Sequence, residues 1–135
     1  MTDFIWHKSI LDGIPRILTT RVPSFRQSEE YIALSEYEKD IPSVVCSAFA
    51  DYVVRLHKQQ IFGLDRDSTG RELRIARELL EFLASSSENT VKNLVQDEIF
   101  EAFDETDPEI LESIKRKLGH TALSLWESAK KSPPS

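Results

Sequence analysis

The feature that most constrains this chain is an apolar stripe of helical period. Val45, Ala48, Phe49, Tyr52, Val53 and Leu56 recur at i, i+3, i+4, i+7, i+8 and i+11, the pattern of a helix with one buried face. Pro42 suits its first turn behind an Asp40 cap, and the helix is expected to reach Gln60 and stop by Gly63. Strand-like alternation is almost absent. Leu73, Ala76, Leu79, Leu80 and Leu83 form a second stripe, opened by the capping-box spacing Thr69–Glu72 and closed by Ser85 to Ser87. The same spacing recurs at Ser85–Glu88, before Val91, Leu94, Val95, Ile99, Ala102 and Phe103. It recurs again at Thr106–Glu109, before Ile110, Leu111, Ile114 and Leu118. Lys115, Arg116 and Lys117 complement the negative end of that helix dipole, and Gly119 ends the helix. A last helix holds Ala122, Leu123, Leu125 and Trp126.

Upstream, Gly13 to Pro15 and Val22-Pro23 interrupt the apolar stretches Phe4–Leu11 and Ile14–Leu18, and a third segment spans Glu29–Glu38. These read as short helices with kinks. The expected fold is all-α, a compact bundle of about seven helices, with paired antiparallel helices resembling a short α-solenoid as a variant. One domain over residues 1–131 suits a chain of 135 residues, and Ser132 to Ser135 reads as a frayed tail.

Chemistry-bearing motifs are sparse. One cysteine, Cys46, excludes an intramolecular disulfide and a multi-cysteine zinc site. It sits beside core-stripe Val45, as an inert, half-buried thiol would. His7, His57 and His120 have no metal-ligand spacing, and His57 beside Lys58 near a helix end reads as a dipole partner. Asp65, Asp67, Thr69 and Gly70 match the first half of a calcium loop, but Ala76 stands where the bidentate Glu belongs. A turn into a capped helix accounts for them, so no metal is expected. Neither a nucleophile elbow nor a phosphate-cradling glycine loop occurs, so neither catalytic residues nor a cofactor is expected. An enzyme would need distant residues such as Cys46, Asp51 and His57 to converge. The row Arg71, Arg74, Arg77 is interleaved with Glu78 and Glu81, each four residues after an arginine, and local ion pairing is expected there.

Charge carries the strongest signal. Seventeen Lys and Arg face 23 Asp and Glu, a net charge of −6, which argues against holding nucleic acid through the bulk field and is compatible with a basic partner. No direct nucleic-acid binding is expected. Asp97, Glu98, Glu101, Asp104, Glu105, Asp107, Glu109 and Glu112 fall in sixteen residues without one Lys or Arg. The rest of the chain is left at +2. Asp97, Glu101 and Glu105 repeat at i, i+4, where like charges cost about 0.2–0.5 kcal/mol per pair in an isolated helix. Capping and the helix dipole explain Asp107 and Glu109 but not Asp97 to Glu105. Asp97, Glu98, Glu101, Asp104, Glu105, Glu109 and Glu112 are therefore the candidate partner-binding residues. The competing account is an ordinary solvated face. The N-terminus lacks a secretory pattern and no apolar run approaches a membrane span, so a cytoplasmic location without membrane contact is expected.

Phe49-Ala-Asp-Tyr52-Val53, Glu78-Leu-Leu-Glu-Phe82-Leu83, Asn89-Thr-Val-Lys-Asn93-Leu-Val95, Glu98-Ile-Phe-Glu101 and Leu118-Gly119 together resemble a bacterial family of small, acidic, all-helical proteins. Val22-Pro23-Ser-Phe25 suits the family's start, and the likeness spans residues 20–126. The matching positions are core residues and a terminating glycine, and none is catalytic. Some members of the family sit beside polymorphic toxins as immunity proteins. The resemblance implies an antitoxin of a contact-dependent growth inhibition system, binding a basic, nuclease-type toxin domain and occluding its active site. A helical adaptor without a toxin link is the alternative.

Overall fold

The computed structural model describes residues 13–63 and 66–131. The apolar stretch Phe4–Leu11, His7, Asp65 and the tail after Lys131 lie outside the described residues. Every element among the described residues is helical, as the periodicity predicts. Ile14–Arg21 (α1) stops at Val22, whose backbone (φ −124°, ψ 77°) leaves the helical region ahead of Pro23, because the proline ring disfavours a helical residue before it. Pro23–Arg26 (α2) and Glu29–Ile32 (α3) follow, and Ser28 caps α3 by accepting from the Tyr31 N–H. The expected helix Glu29–Glu38 thus ends early, and a single 3-10 turn, Glu38–Asp40, leads into Pro42–Ile61 (α4). Ile41 stands at the N-cap of α4 instead of Asp40, and Pro42 occupies the first turn. Gly63, at φ 78°, provides the left-handed residue after the end of the helix.

Arg66–Ala84 (α5) starts before Thr69, which is buried inside it, so Thr69–Glu72 is not a cap. The other two anticipated boxes do not form either. Ser85 donates to the Glu81 carbonyl at 2.7 Å, and Thr106 donates to the Phe103 carbonyl at 2.7 Å. With few residues between helices, each hydroxyl lies nearer the orphan carbonyls behind it than the N–H groups ahead. The reciprocal box that forms is Ser35–Glu38, with N–H to side-chain distances of 2.8 and 3.1 Å, and it draws the Glu38 carboxyl below its usual range.

The next helix, α6, comprises an α-helical stretch Asn89–Leu94, a π-helical segment Val95–Phe100 and a closing turn Glu101–Asp104. Pro108–Lys117 (α7) and His120–Lys131 (α8) complete the described chain. Helix α4 is central and packs on α1, α3, α5, α6 and α7. Its stripe is buried as predicted, in one core with Leu18, Leu80, Ile99 and Ile114. Aromatic clusters anchor two parts of that core. Phe25 meets Phe49 edge-on at 5.2 Å, and Phe100 stacks on Trp126 at 5.3 Å and 14°.

Candidate functional site

The acidic segment is built on the π-helical part of α6. A π turn closes its hydrogen bonds at i→i+5 and accommodates one more residue than an α turn. Ile99 and Phe100 can therefore both reach the core, where the 3.6-residue pattern had assigned only Ile99. Asp97, Glu101 and Glu105 remain exposed on the outside, as do Glu109 and Glu112 on α7. Among the described residues none of these five carboxylates lies within ion-pair distance of a cation. The like charges stand over a rigid floor, because Phe100, Phe103 and Trp126 are almost completely buried beneath this part of the fold.

Two members of the predicted set behave differently. Asp104 accepts the Trp126 indole N–H, with oxygens at 3.1 and 3.3 Å. The Lys115 ammonium lies 5.2 Å from the Trp126 ring centroid. Asp104 thus fixes the aromatic floor as well as adding charge. Glu98 is half-buried and lines a cleft of about 360 Å³ with Glu30, Asp51, Ser43 and Ser47. Glu30 is paired with Arg55, whose guanidinium donates to its two oxygens at 2.7 and 3.1 Å. Burial and the Glu30 charge raise the Asp51 carboxyl above its usual range. Sequence reasoning missed Glu30 and Asp51 as neighbours of Glu98. An acidic residue flanking the core stripe of α4 was the available signal, and the pairing itself is tertiary.

Cys46, Asp51 and His57 share α4 but do not assemble. Cys46 is fully buried, more so than expected, and burial plus the Glu98 charge push its thiol up to about 12. Asp51 faces the acidic cleft. His57 is no dipole partner: it is 4% exposed, Nδ1 lies 3.1 Å from the Ser113 hydroxyl, and burial lowers the imidazole to about 4. The arginine row also departs from expectation. Among the described residues neither Arg74–Glu78 nor Arg77–Glu81 pairs. Glu81 instead accepts the Thr121 and Ala122 N–H groups at 3.0 and 2.8 Å, capping α8 from α5. Gly119 makes room for this, since a Cβ there would come within 2.5 Å of a Glu81 oxygen.

Among the described residues no group of three His, Cys, Asp or Glu side chains is arranged to hold a metal ion. No described helix is long and apolar enough to cross a membrane. Comparison with protein-family models, with curated proteins and with solved structures finds no match to this chain.

Proposed function

We propose that this chain is a bacterial, cytoplasmic immunity protein that binds and neutralises a cognate toxin domain. The observation that carries the reading is the row Asp97, Glu101, Glu105, Glu109 and Glu112, exposed on a rigid aromatic floor and, among the described residues, without cationic partners. A surface of this kind steers a basic protein into contact over distances near the Debye length and docks it without remodelling the helices. A nuclease-type domain of a contact-dependent growth inhibition system is such a partner, because its substrate groove must be cationic. Laid across that groove, the acidic face competes electrostatically with the nucleic acid and blocks access. The mechanism is occlusion and needs no chemistry from the immunity protein.

The test is the triple reversal Asp97→Lys, Glu101→Lys, Glu105→Lys, with binding to the toxin domain encoded beside this gene followed by stopped flow at increasing salt. The wild-type chain should associate quickly at low salt and more slowly as salt rises. The variant should associate at least about tenfold more slowly, with little salt dependence. Unchanged rate, affinity and salt dependence would sink the reading.

One observation favours the adaptor alternative. Ile14, Ile17, Phe82, Leu83 and Val91 line a cleft of about 410 Å³, and Phe82 is 46% exposed under the Arg21 guanidinium. Loss of partner binding in Phe82→Ala, with the charge reversal silent, would favour that reading.

A further inference from the structure

We propose that the cavity between α4, α5 and α7 binds a small oxyanion, a carboxylate or a phosphate group, through Arg77, Lys117 and His57. This site is separate from the acidic face and does not depend on the immunity reading. The apolar floor comes from Val53, Leu80 and Ile114, and the polar groups are His57 from α4, Arg77 from α5 and Lys117 from α7. The cavity volume is about 20 Å³, enough for one oxygen-sized group. One oxygen of the anion therefore enters, and Arg77 and Lys117 balance the rest of its charge.

Three features make this more than a surface basic patch. First, among the described residues no carboxylate lies within ion-pair distance of Arg77 or Lys117. The obvious helical partner of Arg77, Glu81, is already occupied by the N–H groups of α8. Second, the donors are held in place. Lys117 Nζ donates to Gln60 Oε1, and His57 Nδ1 is engaged by the Ser113 hydroxyl. When that hydroxyl donates to Nδ1, the imidazole proton sits on Nε2, the ring's other nitrogen. Third, among the described residues the charged groups lining the cavity, Arg77 and Lys117, are both cationic. Burial together with Lys117 and Arg77 lowers the His57 imidazole, and burial together with Arg77 and Arg116 lowers the Lys117 ammonium. Bound negative charge relieves this repulsion and strengthens each hydrogen bond by charge assistance.

The experiment is calorimetric titration of the full chain with inorganic phosphate and, separately, with acetate, each at constant ionic strength against chloride. It is paired with nuclear magnetic resonance of the His57 imidazole. The expected result is one saturable site, a shift of the His57 ring resonances on the same curve, and a rise of its pKa on saturation. Arg77→Gln and Lys117→Gln should each weaken binding about tenfold or more, while the exposed Arg74→Gln leaves it unchanged. Saturation by phosphate alone assigns a phosphate group, and saturation by acetate alone assigns a carboxylate. A response no larger than that to chloride overturns the proposal, as does saturable binding that leaves the His57 resonances unmoved. The resonance measurement uses the wild-type chain, so the proposal stays decidable if a variant fails to fold.

Discussion

The two ends of α7 meet the same electrostatic problem in opposite ways. At its start, Glu109 and Glu112 extend an acidic row that begins on α6 and stands in solvent. At its finish, Lys117 and Arg77 crowd a cavity in which a buried imidazole stays neutral. Exposed like charges are screened by water and salt and cost little. Gathered at a partly buried cavity, they cost more, and the cost registers as lowered pKa values. The acidic end is thus suited to attracting a partner at a distance, and the basic end to holding one anion at close range.

The largest expected effect tests the rigidity under the acidic end. Trp126→Ala removes a ring stacked on Phe100 and the donor to Asp104, and should destabilise the fold by about 3–5 kcal/mol in urea unfolding. A loss under about 1 kcal/mol would mean the acidic row has no firm floor.

Next comes the basic end. His57 has a folded pKa of about 4 against 6.5 for the solvent-exposed imidazole of the unfolded chain, so the unfolded chain takes up its proton first as pH falls. Stability should therefore decline between about pH 6.5 and 4, by up to about 2–3 kcal/mol, and this contribution should level off below. His57→Phe should remove that component, seen as a difference between wild-type and variant unfolding curves. Identical pH profiles would place the imidazole in a far more solvated setting.

A smaller effect is expected at Gly119. Gly119→Ala would force the Glu81 carboxylate aside and break its two bonds to α8, costing about 1–2 kcal/mol by urea unfolding. The released carboxylate would become available to Arg77, four residues earlier, so phosphate and acetate should bind the cavity more weakly.

The smallest effect belongs to the acidic row. Reversing Asp97, Glu101 and Glu105 should change folding stability by no more than about 0.5 kcal/mol, even where it slows association as the immunity reading expects. A large change in the unfolding midpoint would make those carboxylates structural.

The helices were legible because their apolar stripes are long. Val45 to Leu56 and Leu73 to Leu83 occupy the buried faces their spacing predicts. Helix starts were less legible, since Thr69, Ser85 and Thr106 satisfy a local spacing rule whose outcome depends on nearby carbonyls. The acidic row could be read from charge alone, because exposure is the default for clustered carboxylates. Neither the turn of Glu98 toward Asp51 nor the meeting of His57, Arg77 and Lys117 could be read that way. Those groups come from separate helices, and their proximity depends on how α4, α5, α6 and α7 pack.

The π segment of α6 has one more consequence. A helix carrying one surplus residue has two angular registers, one before Val95 and another after Phe100. The offset between them decides which way Glu101 and Glu105 point relative to Lys92 and Glu88. Excising a single residue within Val95–Phe100 would remove the surplus and merge the registers into one α-helical period, with the residues on either side keeping the faces they now occupy. Ile99 and Phe100 could then no longer share the interior. The direction in which the negative row faces is thus tied to the core through a length mismatch, and the chain cannot re-aim that row without repacking its aromatic residues.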